Sequence, residues 1–395
     1  MKPRYFLRSA ARSMAAVLFC SLFLLCCSRK ESRAADSGTV QDASLAGMRY
    51  VRSIPNTYAK MFSVDEYEGG FRLVTVNGCI RYLLVPEGAS APQSLPQDIT
   101  VLQQPFDALY LASSPVMALM CRAGALPQVK FCSTAADKWY IPEAVEAMRS
   151  GAVRYVGKYD SPDFELLLSE GADIAVESAM IFHKPQVQEK LESLGIPVFV
   201  DESSYEDHPL GRVEWVRLYG MFMGKEAVAE SFFAEQVQMI APLEKEAALG
   251  KGVAFFYVNS DGMAVVRGTD DYIARMIGIA GGSYACAGIP ESKTDSSTVQ
   301  LSMEEFYQSA RDADFLVYNT TIDKSVKSLD DLLAKNSVFA DFKAVKEHQV
   351  WASKNYLYQG TDNLAGFIME MRQVLTDNAG ADKAAADMLF LEHLE

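Results

Sequence analysis

After its first 25 residues this chain has no long apolar run. No later stretch reaches the roughly 18 consecutive apolar residues that a membrane-crossing helix needs. It has no Cys-x-x-Cys pair either, which removes the common zinc and dithiol signatures. Histidine is scarce: only His183, His208, His348 and His393 occur, and none stand at the spacing with which one helix face holds a metal. A bare metal ion is therefore a poor ligand for such a chain. There is no Gly-x-Ser-x-Gly, because Gly281-Gly282-Ser283-Tyr284-Ala285 fails at its last place, and there is no His-Glu-x-x-His and no Gly-rich phosphate loop. Positive charge is in deficit, with 37 Lys and Arg against 51 Asp and Glu and a net charge of −14. That balance argues against nucleic acid and against a basic membrane-hugging patch.

What is present begins at the N-terminus. Lys2, Arg4, Arg8 and Arg12 form a basic lead, and Met14 to Leu25 is an uncharged run short of a full membrane span. It ends in Leu24-Leu25-Cys26-Cys27-Ser28, which resembles a lipobox with Cys27 as the modified residue. Cys27 fits better than Cys26, because the residue before the modified Cys must be small and Leu25 is not. Cleavage there makes residues 1–26 a signal peptide and leaves an acylated N-terminus, anchored to a membrane rather than spanning it. An ordinary cleaved signal or a short membrane anchor is the alternative. Residues 27–47 are rich in Ser, Ala and charge without apolar period, and read as a disordered tether.

The four body cysteines are Cys79, Cys121, Cys132 and Cys286. Export permits disulfides, and Cys121 with Cys132 is the nearest pair; four small buried hydrophobes is the other reading. The remaining body, with 49% hydrophobic and 22% charged residues over the whole sequence, suits one large or two ordinary domains.

Phe71 to Val76 and Ile80 to Val85 flank Asn77-Gly78, a hairpin signature, and Pro86 to Gln97 follows as a loop. Strands are then expected at Ala108–Ala112, Val129–Cys132, Ala172–Val176 and Ile196–Val200. They alternate with helices after Ser113-Ser114-Pro115 and at Pro142–Arg149, Phe164–Ser169 and Pro185–Leu194. Pro209–Met223 and Lys225–Ile240 are two helical stretches, each long enough to bridge two lobes. A second α/β block follows. Its strands are expected at Val253–Val258, Ala313–Tyr318 and His348–Ala352, and its helices at Tyr272–Ala280, Met303–Ser309, Thr361–Leu375 and Ala381–Leu394. The helix before the strand at Ala172 and the helix before the strand at Ala313 form a faint internal repeat, each with a carboxylate in its first turn.

Three local patterns then carry a resemblance. Val153 to Ser178 is similar to a family segment of a glycine, a Glu-led helix and a strand after Pro-Asp, with Ala172-Asp173 here in place of Pro-Asp. Leu194-Gly195-Ile196-Pro197-Val198 resembles the family's Gly-Ile-Pro-Val. Arg267-Gly268-Thr269 through Ile279-Ala280-Gly281-Gly282 resembles its helix ending in Ala-Gly-Gly. With the lipobox, the chain from Ser53 to Leu375 looks like a substrate-binding lipoprotein of an ABC importer, in the branch that binds iron–siderophore complexes, haem and cobalamin. The resemblance implies an α/β fold. Two lobes with central, mostly parallel sheets flanked by helices are joined by a long rigid helix, with the ligand cleft between them and little closure. The expected division is residues 48–207 for the N-terminal lobe, 208–224 for the bridging helix and 225–395 for the C-terminal lobe. Lys225–Ile240 stays open as the bridge.

The resemblance also implies that Glu165 and Glu304 dock with Arg residues of a permease dimer that works with its ATPase, although Glu305 adjoins Glu304. Trp139 and Tyr140 fall where related sequences place cleft aromatics. Ser113 and Ser114 start a helix, whose N–H groups either hold an anionic ligand group or are merely capped. Glu177 follows a strand end, where α/β sheets bind ligands. Arg267 suits a carboxylate or a siderophore's negative charge, or a surface ion pair. Tyr356 and Tyr358 lie in the loop after the last strand of the block. The expected ligand is a chelated ferric ion or haem, with a corrinoid next, and no resident cofactor. The protein is expected as a monomer on the outer face of the cytoplasmic membrane. An exported enzyme, or a lipid-anchored adhesion or scaffold protein, is the rival class.

Overall fold

The computed structural model describes residues 45–288, 298–376 and 388–395. The signal peptide, Cys27 and most of the 27–47 tether lie outside them. Leu45, expected in the tether, is buried on one face of the first sheet, beside Tyr67, Leu73 and Leu83.

That first sheet is a meander. Tyr50–Ile54, Phe62–Tyr67, Arg72–Val76 and Ile80–Val85 pair antiparallel in turn, and Ile99–Gln103 joins parallel to the last of them. Asn77 and Gly78 both take positive φ, 49° and 69°, the backbone that a two-residue hairpin turn requires and that Asn-Gly tolerates. Period-two alternation divides the side chains. Val74, Val76, Tyr82 and Leu84 face the main core, whereas Leu73, Leu83 and Val85 face a smaller cluster that includes Ala89, Ala91 and Leu95 of the Pro-rich loop.

The second sheet is wholly parallel, in the order Val198–Asp201, Ile174–Ser178, Leu109–Leu111, Val129–Cys132, Arg154–Tyr155. The helices Ser114–Arg122, Pro142–Arg149, Phe164–Ser169 and Pro185–Ser193 connect its strands. The third sheet has a parallel centre, Lys251–Val258, Phe315–Tyr318 and Val350–Ser353. Antiparallel strands Ala264–Arg267 and Thr298–Leu301 close one edge and Leu391–His393 closes the other. Leu391–His393 corrects the helix expected over Ala381–Leu394; residues 381–387 lie outside the described set.

Helix Pro209–Phe222 lies between the second and third sheets in the chain. All of its residues except Arg212 and Arg217 are buried, the pattern of a helix packed on every side. Trp215 meets Phe62 and Phe199 of the first two sheets, with ring centroids 5.0 and 6.4 Å away. Arg212 lies over Tyr272 of the C-terminal lobe. The next helix, Glu226–Ile240, packs so closely that a Cβ on Gly220 would stand 2.5 Å from the Ala229 Cβ. A glycine is needed at that crossing.

Among the described residues no disulfide is present: Cys132 and Cys286 are buried, Cys121 half-buried and Cys79 exposed. No described helix is long and apolar enough to cross a membrane.

Candidate functional site

The two lobes meet at a cavity of about 200 Å³. The second sheet contributes Pro115, just after strand Leu109–Leu111, and Ser203 and Ser204, just after Val198–Asp201. The central helix contributes Arg212. The C-terminal lobe contributes Arg267, Asp271, Tyr272, Leu357, Tyr358, Thr361 and Leu364. Parallel strands direct their carboxyl ends to one edge of a sheet, so loops from several strands converge on one spot.

Two guanidinium groups dominate this cavity. Arg212 lies flat on the Tyr272 ring, 3.6 Å from its centroid. Its Nε donates to the Glu206 carbonyl at 3.0 Å and its Nη2 to the Ser204 carbonyl. Burial lowers its pKa from the usual arginine value, yet it stays a cation. The Arg267 Nη2 donates to the Tyr358 hydroxyl, and its Nη1 lies 3.6 Å from Asp271 Oδ2. The Asn319 amide also donates to the Tyr358 hydroxyl at 3.0 Å. Burial disfavours the charge of Arg267, but Tyr358 and Asp271 outweigh it and raise its pKa. Two cations therefore face one carboxylate, in a protein whose overall charge is −14.

Polar contacts close the lobes around the cavity. Arg122 Nε lies 2.6 Å from Asp362 Oδ2, and Tyr356 donates to Asp362 Oδ1 at 3.2 Å. Gln359 donates to the Lys138 carbonyl and accepts from the Tyr140 amide, each at 2.8 Å.

The residues singled out by sequence scatter around this centre. Arg267 and Tyr358 line it. Ser114 opens the helix whose next residue, Pro115, is in the wall. Ser113 is buried, its hydroxyl turned to Asp201 at 3.5 Å rather than to the helix end. Trp139 is packed in the core, with its indole N–H donating to the Thr134 carbonyl at 3.2 Å. Tyr140 is exposed on the side where Gln359 and Lys324 reach across from the other lobe. Tyr356 is buried on Asp362. Glu177 is fully buried, and neither carboxylate oxygen has a hydrogen-bond partner; burial pushes its pKa up to about 8.

Glu165 and Glu304 are exposed in the first turns of their helices and make no ion pair among the described residues. Neither caps its helix. Asp163 accepts from the Leu166 amide at 3.0 Å, and Ser302 with Glu305 forms a capping box. Glu305 accepts from the Ser302 hydroxyl at 2.7 Å, which separates it from Glu304.

Sequence reasoning missed Arg212, Tyr272, Asp271 and Ser204. Arg212 left a faint signal, as one of two cations, with Glu214, in a mostly apolar helical stretch. Its place in the cavity depends on Arg267 and Tyr358, which lie far along the chain, and no local pattern encodes that proximity.

Residues 125–357 match the family described as periplasmic binding protein. An uncharacterized lipoprotein of Methanocaldococcus jannaschii is 26% identical over 252 residues, 61% of this chain and 57% of that relative. The chain spans about half the length of the curated relatives it matches. The crystal structure of a periplasmic haem-binding protein of Vibrio cholerae superposes with a TM-score of 0.55 at 19% identity, over 69% of this chain and 100% of that one. A petrobactin-binding protein of Bacillus subtilis gives a TM-score of 0.54 at 16% identity, over 69% and 92%. At such identities the likeness is one of fold.

Proposed function

The chain belongs to the periplasmic binding protein family, and we propose that it is a lipid-anchored solute-binding protein of an ABC importer. In this reading it captures an iron complex, a siderophore chelate or haem, outside the cytoplasmic membrane and delivers it to a permease. The observation that carries the reading is the cavity where Pro115, Ser203 and Ser204 of one lobe face Arg267, Tyr272 and Tyr358 of the other. Ligands of open α/β sheets sit at such strand ends. The cavity, about 200 Å³, is below the roughly 300–1,000 Å³ of a complete small-molecule site, so in this reading it holds one part of a ligand whose remainder lies at the cleft mouth.

Anchoring through Cys27 is supported by the lipobox and by the relative named as a lipoprotein. The proposed division of the chain is 48–207, 208–224 and 225–395, with Pro209–Phe222 as the rigid connector. Its contacts with both lobes support that role. Delivery is assigned to Glu165 and Glu304. Both carboxylates are exposed and uncommitted, as charge-assisted contact with guanidinium groups of a permease requires.

Replacing Glu165 and Glu304 together with Ala tests the assignment. Cellular uptake of the iron complex should fall to background, while the thermal shift that the complex gives to the purified double variant stays at the wild-type value. Uptake at the wild-type rate would remove the docking role. Absence of any thermal shift in the wild-type chain with ferric siderophores, haem or cobalamins would remove the binding role.

A further inference from the structure

Arg122 stands between two carboxylates from different lobes. It ends helix Ser114–Arg122 of the N-terminal lobe. Its Nε donates to Asp362 Oδ2 of the C-terminal lobe at 2.6 Å. Its Nη1 lies 3.3 Å from Oε1 of Glu143, in the first turn of helix Pro142–Arg149 of its own lobe. The shorter contact therefore crosses to the other lobe. The two acids are differently served. Asp362 is 2% exposed, and its second oxygen accepts from the Tyr356 hydroxyl at 3.2 Å. Glu143 is half-buried, and its Oε2 is buried with no hydrogen-bond partner among the described residues. An unpaired buried oxygen is a cost that native folds seldom leave without a reason. A guanidinium fork that turns to face one carboxylate satisfies both of its oxygens. Glu143 is thus a second seat for Arg122, only half used while the cation reaches across to Asp362.

Asp362 belongs to a segment with two faces. Between strand Val350–Ser353 and helix Leu364–Thr376, Tyr358 and Thr361 line the cavity, while Gln359 and Asp362 bond to the other lobe. The segment is compact. The Gly360 amide donates to the Tyr356 carbonyl at 2.7 Å, and a Cβ at Gly360 would run into the Tyr356 ring. What holds Asp362 therefore also holds the cavity wall. Parting a buried ion pair is costly when a charge is left alone. Here each charge has a partner on its own lobe: Glu143 for Arg122 and Tyr356 for Asp362. Two arrangements that both satisfy the charges, only one of them bridging the lobes, make a two-state element.

Resting on the reading that ligand binds in this cavity, we propose that Arg122 is a two-position latch. Seated on Asp362 it holds residues 355–363 over the cavity; turned onto Glu143 it frees them. Ligand then enters and leaves at a rate set by exchange of one guanidinium between two carboxylates.

Two conservative variants, Asp362→Asn and Glu143→Gln, test this in the mature chain. The first removes the bridging seat and the second the home seat, so their effects should have opposite sign. In the ligand-free protein, Asp362→Asn should speed amide hydrogen–deuterium exchange across 355–363 at least about tenfold, the loss expected for a hydrogen bond between charged groups. Glu143→Gln should slow it below the wild-type rate. Stopped-flow mixing with haemin or a ferric tris-catecholate should show both association and dissociation faster in the first variant and slower in the second. An ion-pair cluster that only props the fold would loosen in both variants. Shifts of the same sign, or wild-type exchange in both, overturn the latch and leave the importer reading standing. Failure of the wild-type chain to bind either probe removes the ligand reading, while exchange in the ligand-free chain still decides the latch.

Discussion

Glu177 is next to last in strand Ile174–Ser178 of the N-terminal lobe, on the sheet face that carries Tyr110, whose hydroxyl also lacks a partner among the described residues. Burial holds its carboxyl neutral up to about pH 8, against an ordinary value of 4.5. A folded pKa raised above the unfolded one stabilises the protein fully below about 4.5. That contribution declines as pH rises, because the unfolded chain ionises first, and it is gone above about 8. Glu177→Gln should therefore match the wild type in urea unfolding at pH 4.5 and exceed it by about 2–4 kcal/mol at pH 9. Equal stabilities at pH 9 would mean that Glu177 is ionised or solvated in the native state. At this scale the sequence is a partial guide. It marks Arg267 before a Gly-Thr turn and Tyr358 after a strand, but gives no sign that Trp139 turns inward or that Arg212 lines a cavity. Side-chain direction within a helix or loop is set by tertiary packing.

Segments show the same limit in another form. The turn between Tyr50–Ile54 and Phe62–Tyr67 is fixed by two buried carboxylates from the central region. Glu214 accepts from the amides of Thr57, Tyr58 and Ala59 at 2.7, 2.7 and 2.8 Å, and Glu206 accepts from those of Lys60 and Met61. Removing one partner leaves several buried donors unsatisfied. Glu214→Ala should lower stability by about 3–5 kcal/mol and speed amide exchange across 57–61. Wild-type exchange there would show that the first sheet holds the turn without help. The helices and parallel strands were legible because capping residues, Pro at first turns and apolar runs agree locally, as at Ser114–Arg122 and Ile174–Ser178. Tyr50–Ile54 escaped notice because it is a solvated edge strand with no apolar face; paired charges such as Arg52 with Glu66, 2.7 Å apart, run along it. Leu391–His393 escaped because three residues carry no period.

The whole molecule is a pair of α/β lobes held by one buried helix and joined across the cleft by Arg122–Asp362 and Gln359. The two-lobed plan was readable from the order of elements and from the family-like segments, which lie in or beside the matched range 125–357. The composition of the cleft was not, because the cavity gathers residues from Pro115 to Leu364. The central claim is that ligand binds between the lobes at this cavity. Hydrogen–deuterium exchange of the full mature chain with and without saturating haemin or ferric tris-catecholate tests it most directly. New protection should be confined to residues 203–206, 267–273 and 356–362, the segments that surround Ser204, Arg267, Tyr272 and Tyr358. Protection elsewhere on the surface with these segments unchanged would contradict it.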